Sequence, residues 1–342
     1  MFAIAGAIAA MAAASTQTTA DLALVSDFSV MSYNVHGLPW PIARGRRAAL
    51  TAIGQDLAGM RSQGKEPKIV LLQEAFTADA KSIARTAGYP FEARGPSRSD
   101  RIMRTGSEWA EPSSGAKKLR GEGDGTLEDS GLLILSDYPI IETSRMPYAR
   151  YACAGYDCLA NKGAVLVRVS VPGAAQPITL IDTHMNSRGA SGVRHSRADR
   201  AFGWQAKQLR DFVSTSIAQG TPAVVAGDLN IGRVAYRRAM ILGGGGLLNG
   251  GEDALRTCLS MGLQLPERSD ASRIVAKGKD WMFVRGGDVT QLKLNGVTVP
   301  FGTEPNGKAL SDHFGYVAHY SLFNRGSATQ PTPLMYTSPD CT

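Results

Sequence analysis

The chain has 342 residues, 43% hydrophobic and 20% charged, with a formal net charge of +7. That balance excludes a disordered, collagen-like or coiled-coil polypeptide and leaves apolar material for a sizeable core. The excess of Lys and Arg suits either a plain basic surface or attraction to anions such as nucleic acid, phospholipid surfaces or inositol phosphates.

Residues from Met1 to Ser15 are apolar and Ala-rich. They have the character of the apolar core and small-residue end of a secretory leader, without a Lys or Arg at the start. The stretch is too short and too Ala-rich for a transmembrane span, and no later segment is long and apolar enough for one. Residues 1–26 are therefore expected to be a leader, 27–325 one domain, and 326–342 a loosely packed C-terminal tail. The expected destination is secreted or periplasmic, or cytoplasmic if the start is not a leader.

A strand is expected from Phe28 to Asn34, then a helix from about Arg44 to Met60, with Leu50, Ile53, Leu57 and Met60 on one face. Lys68 to Gln73 reads as a strand and Ala78 to Ala87 as a short helix. The polar stretch from Gly95 to Asp129 reads as a long loop or insertion. Strands follow near Gly131 to Leu135, Ala164 to Val171 and Ile178 to His184. Helical spacing returns from about Ser196 to Ser214. Thr221 to Asp228 is a strand, Gly243 to Gly251 a connector, and Lys279 to Arg285 and Phe314 to Leu322 are further strands. Strands outnumber helices without a βαβ repeat, which points to mixed sheets with helices outside.

Polar clusters sit at the ends of these strands: Ser32-Tyr33-Asn34, Gln73-Glu74, Asp182-Thr183-His184-Met185-Asn186, Asp228-Leu229-Asn230 and Ser311-Asp312-His313. Strand ends that open to solvent are where sites assemble. Asn, Glu, Asp and His without Cys form a hard-metal and general-base inventory, suited to Mg²⁺, Mn²⁺ or Ca²⁺ and a phosphate ester. The four cysteines, Cys153, Cys158, Cys258 and Cys341, allow three pairings, and Cys153 with Cys158 could close a small loop.

The strings SYNVHG, LLQEAF, GLLILS, NKGAV, DTHMN, AGDLN, KDWMF and SDHFGYV resemble the endonuclease/exonuclease/phosphatase superfamily over about Phe28 to Leu322. The resemblance implies an α+β fold: a four-layer α/β/β/α sandwich of two mixed, mostly antiparallel sheets, with the site at one end. It implies a divalent-metal-dependent phosphoric ester hydrolase in which Glu74, helped by Asn34, holds the cation and Asp312 contributes to a second metal position. His313 would be the general base, oriented by Asp280, with Asp228 a rival for that role. Asp228 and Asn230 would position water and a phosphate oxygen, and His184 would donate to the phosphate or the leaving group. Lys162, Asn161 and Asn186 would face the substrate phosphate. Asp280 could instead pair with Lys279 or Arg285, Asn186 could be a turn residue, and Lys162 an ordinary surface lysine.

SYNVHGLPW, GYDCLANKG and DTHMN look most like the bacterial neutral sphingomyelinase branch. A phospholipid of sphingomyelin type is therefore the first expected substrate, met by a monomer in peripheral contact with a membrane. A secreted nuclease and an inositol-phosphate phosphatase are the alternatives, and an inactive binding module of the same fold is the non-enzyme one. Trp40 with Pro39, Pro41 and Ile42 offers a partly apolar rim.

Overall fold

The computed structural model describes residues 22–101, 117–123, 125–305 and 307–326. Its strands are Leu22–Asn34 (β1), Ile69–Gln73 (β2), Phe91–Arg94 (β3), Leu133–Ser136 (β4), Ile140–Pro147 (β5) and Gly163–Val169 (β6), followed by Ile178–His184 (β7), Ala223–Asp228 (β8), Glu252–Asp253 (β9), Asp280–Arg285 (β10), Thr290–Phe301 (β11) and Gly315–Arg325 (β12). The helices are Arg46–Ser62 (α1), Ala78–Lys81 (α2), Ile83–Ala87 (α3), His195–Ser216 (α4), Ala235–Leu242 (α5), Ala254–Met261 (α6) and Arg268–Lys277 (α7).

The strands form two six-stranded sheets, ordered β11-β12-β1-β2-β4-β3 and β5-β6-β7-β8-β10-β9. Neighbours are antiparallel except β1 with β2 and β7 with β8. Side-chain alternation along each strand then sorts residues between layers. Ile69 and Leu71 of β2, with Val224 and Ala226 of β8, enter the core between the sheets. Val70 and Leu72 face the other way, onto Leu50, Ile53 and Leu57 of α1. Ala223 and Val225 meet Phe202, Leu209 and Val213 of α4 on the far side. The result is the expected four-layer sandwich.

Several boundaries differ from expectation. β1 begins at Leu22, inside the stretch assigned to the leader, and pairs there with the end of β12, Leu22 opposite Arg325. Its first residues, Leu22 to Val25, are apolar but largely exposed, and ladder pairing with β12 holds them. The helix expected from Ala78 to Ala87 breaks at Ser82 into α2 and α3. β5 and β11 escaped notice because their exposed and buried positions mix without a clean period. α5, α6 and α7 were also unforeseen, being short and polar on one face.

Cys153 and Cys158 are joined in a disulfide, and Cys258 is a buried free thiol. Cys341, most of the leader, residues 102–116 and 124 of the 95–129 insertion and nearly all of the tail lie outside the described residues. Among the described residues no helix is long and apolar enough to cross a membrane.

Candidate active site

Strand register brings the polar clusters together. In the first sheet Asn34 ends β1 opposite Gln73, so Glu74 follows at the same edge. In the second, His184 lies opposite Asp228, and Asp228 opposite Asp280. β12 runs antiparallel to β1, so His313, just before it, returns to this end. Ser311 secures that turn: its hydroxyl donates to the Asn34 carbonyl (2.7 Å) and accepts from the His313 amide (3.3 Å).

Close approach has local requirements. Gly227 has φ +132°, and a Cβ there would lie 2.0 Å from the Thr183 carbonyl oxygen, so glycine is what lets β7 and β8 converge beneath the site. Glu74 and Asn230 adopt φ +56° and +50°, conformations costing non-glycine residues about 1–3 kcal/mol each. Neighbouring pairings impose the Glu74 geometry: its carbonyl accepts from the Gly37 amide (3.0 Å), and the Ala75 amide donates to Gly131 (2.8 Å).

Asp228 is the hub. Its Oδ2 accepts from Asn34 Nδ2 (3.2 Å) and lies 3.6 Å from both His184 Nε2 and His313 Nε2. His313 Nδ1 lies 2.8 and 3.0 Å from the two Asp280 oxygens. Glu74 Oε1 stands 3.9 Å from His184 Nε2. Lys162 Nζ is 3.1 Å from that same nitrogen, donates to Met185 O (3.1 Å) and pairs with Asp157 Oδ1 (2.5 Å). Asn230 Nδ2 donates to Met185 O (3.0 Å).

Burial and charge set the protonation states. Burial pushes the Glu74 carboxyl up to about 7, against hydrogen bonding from Asn34 and the Lys162 charge. Burial alone would disfavour the His313 imidazolium, but Asp280 and Asp228 outweigh it and lift His313 to about 10. Burial, then the Lys162 ammonium, hold His184 well below its ordinary value, so it is neutral. The site thus pairs one charged with one neutral imidazole across Asp228.

Three expected site residues sit differently. The Asp312 carboxylate is 60% exposed at the rim, 3.5 Å from His36 Nδ1. Asn161 Nδ2 donates to Ser97 O (2.6 Å) and Asp100 O (3.0 Å), tying a loop. Asn186 accepts from the Ala154 amide (2.9 Å) and donates to Ser187 O (2.7 Å), the structural alternative considered for it. Conversely, Asp157 and Arg237 were not anticipated. Arg237 is fully buried: Nε donates to Asp199 (2.7 Å) and Nη1 to the carbonyls of Asn186 and Asn230 (2.8 Å each), with the guanidinium 4.4 Å from the Phe202 ring centroid. One Arg in an Arg-rich segment carries no sequence signal of burial. Arg237→Ala leaves Asp199 and two carbonyls without this partner and is expected to cost about 3–5 kcal/mol, read as a lowered urea midpoint.

The donor set fits a hard cation. Glu74 is a largely buried carboxylate beside Asn34 and Asp228, and among the described residues no Lys or Arg forms an ion pair with it, an anionic oxygen cluster of the kind Mg²⁺ takes. Asp228, Asp280 and His313 also lie close enough to share an ion, but there His313 occupies both Asp280 oxygens.

The profile of the Endonuclease/Exonuclease/phosphatase family matches residues 31–313. The chain belongs to that family. Curated sphingomyelinase C of Bacillus cereus is 28% identical over 185 residues, covering 52% of this chain and 50% of that protein. The chain thus spans about half the length of the curated relatives it matches. Sphingomyelinase C from Streptomyces griseocarneus shares the fold with a TM-score of 0.57 at 21% identity, covering 86% of this chain and 99% of that one. A doubly substituted beta toxin from Staphylococcus aureus, solved with bound magnesium ions, gives 0.53 at 21% identity, covering 86% and 100%.

Proposed function

We propose that the protein is a divalent-metal-dependent phosphodiesterase acting on a phospholipid of sphingomyelin type. The observation that carries the reading is the convergence of Asn34, Glu74, His184, Asp228, Asp280 and His313 from the strand ends of both sheets, with Asp228 within 3.6 Å of both imidazoles. Family membership and the identity to sphingomyelinase C support the same reading.

Glu74 with Asn34 and Asp228 would hold Mg²⁺, or Mn²⁺ or Ca²⁺. A bound cation supplies polarisation of a phosphoryl oxygen and charge compensation for the leaving oxygen. Asp280 fixes the proton on Nδ1 of His313, leaving Nε2 to exchange a proton with the attacking water, with Asp228 as the adjacent carboxylate. Neutral His184 hydrogen-bonds the phosphate or leaving group, and Asn230 and Lys162 complete its surround. No residue needs to form a covalent intermediate.

Lipid is favoured by Trp40 and Ile42, which are 74% and 60% exposed on the loop between His36 and α1. That loop is bolted to the site through the Gly37 amide and Glu74 carbonyl. Aromatic and aliphatic tips of this kind settle at lipid–water boundaries. Export fits the leader-like start and the Cys153–Cys158 disulfide, since such bonds persist in oxidising compartments. With Mg²⁺ and, side by side, sphingomyelin, phosphatidylcholine, DNA and inositol phosphates, the fastest hydrolysis is expected on sphingomyelin, read as phosphocholine released with ceramide. Cleavage of DNA with lipid untouched would replace the lipid reading with a nuclease.

A further inference from the structure

A second cleft, of about 500 Å³, has a wall of one charge sign. It is lined by Lys117, Arg120, Arg194, Arg197 and Arg200 with Gly192, Val193 and Ser196, with no acidic residue among the described residues. Arg194, Arg197 and Arg200 recur every three residues at the start of α4, which has no acidic residue in its first turn. Cations there oppose the helix dipole as well as one another. Arg197 is neutralised by Glu122 (2.6 and 2.5 Å), and Arg120 donates to the Tyr156 hydroxyl (3.0 Å). Asp199, also on α4, is taken by Arg188 and Arg237. The Lys117 ammonium and the Arg194 and Arg200 guanidiniums meet no carboxylate among the described residues. Arg197 also lines the neighbouring cavity, which reaches Lys162 beside His184.

We propose that this cleft is a second, non-hydrolytic anion site that takes a phosphate group of charge −2 or more. Forked guanidiniums around a concave wall match phosphate oxygens, and such a ligand offsets the repulsion the fold maintains. The phosphate could come from an anionic lipid head group or from a soluble phosphate. Calorimetry with inorganic pyrophosphate, and flotation with phosphatidylcholine vesicles with and without phosphatidic acid, separate the sources. Binding in at least one arm is expected, weakened about tenfold or more in Arg194→Ala/Arg200→Ala, with hydrolysis of bis-p-nitrophenyl phosphate unchanged. Equal binding by the double variant, or wild-type binding to an oligonucleotide alone, overturns the proposal. It stands apart from the hydrolase reading, since its readout is binding.

A different observation carries a second inference. Asp182 and Gln73 are fully buried between the sheets, one residue before Thr183-His184 and immediately before Glu74. Gln73 Nε2 donates to Asp182 Oδ1 (2.7 Å) and to Leu71 O (3.1 Å), which fixes the amide orientation. Gln73 Oε1 and Asp182 Oδ2 are left as buried acceptors without a donor. We infer that Asp182 is a neutral carboxylic acid whose Oδ2 hydroxyl donates to Gln73 Oε1, a reciprocal pair that positions Glu74 and His184 across the two sheets. Burial, which pushes this carboxyl well above its ordinary range, agrees.

Infrared difference spectra of wild type against Asp182→Asn at pH 8 should show the carbonyl stretch of a protonated carboxylic acid. Its absence overturns the inference whether or not the protein is a hydrolase. Asp182→Asn keeps a donor and an acceptor in place, so its turnover should stay within about threefold of wild type, while Asp182→Ala falls about tenfold or more. Equal losses in the two variants would also overturn it.

Discussion

Replacing His313 with alanine is expected to lower turnover on bis-p-nitrophenyl phosphate by about two to four orders of magnitude while leaving the circular dichroism spectrum unchanged. The imidazole is buried, its Nδ1 is held by Asp280 at 2.8 Å, and its Nε2 is turned toward Asp228. No other imidazole in the site has its Nδ1 held by a carboxylate while its Nε2 faces the site. His184 is neutral and already shares its Nε2 with Lys162, so it is a poor substitute. A His313→Ala enzyme turning over within tenfold of wild type would move the proton exchange to another residue. Fold stability should change little, because the Asp280 carboxylate left behind can become protonated.

Replacing Glu74 with glutamine is expected to abolish the response to Mg²⁺ together with activity, a loss of about 10³-fold or more if the cation both polarises the ester and compensates charge. The measurement is an EDTA and Mg²⁺ titration of the rate, with direct calorimetry of Mg²⁺ binding. Survival of the wild-type Mg²⁺ response in this variant would remove Glu74 from the ligand set. The same substitution should leave the melting temperature unchanged or higher. Burial lifts this carboxyl to about 7, which marks its ionised form as costly in the folded chain, and an amide of equal shape relieves that cost. A gain in stability with a loss of activity would identify Glu74 as a residue held for function.

The strands that carry the site were legible because they are fully buried on both faces. Ile69–Gln73, Ile178–His184 and Ala223–Asp228 read as continuous apolar runs whose polar ends stood out. β5 and β11 were not legible, because exposed polar positions interrupt them and ladder pairing decides their state. For the site, convergence follows once parallel pairing and register are known, and His313 Nδ1 then lies 2.8 Å from Asp280. Side-chain destinations were harder. Asn161 and Asn186 were expected at the phosphate because of the strings they sit in, yet an amide beside an unpaired carbonyl or amide satisfies that group first. Asp312 points outward while Ser311 and His313 on either side of it are buried and hydrogen-bonded inward. Arg237 and Asp157 act through contacts 38 and five residues away in sequence, to Asp199 and Lys162, and no local pattern encodes those.

The pairing of Leu22 with Arg325 has a consequence for biosynthesis. The strand bearing Asn34 gains its outer neighbour only after the last strand has left the ribosome, and His313 arrives with it. Until then the nascent polypeptide holds Glu74, His184 and Asp228 without His313 beside them. The site is therefore complete only once β12 has paired with β1.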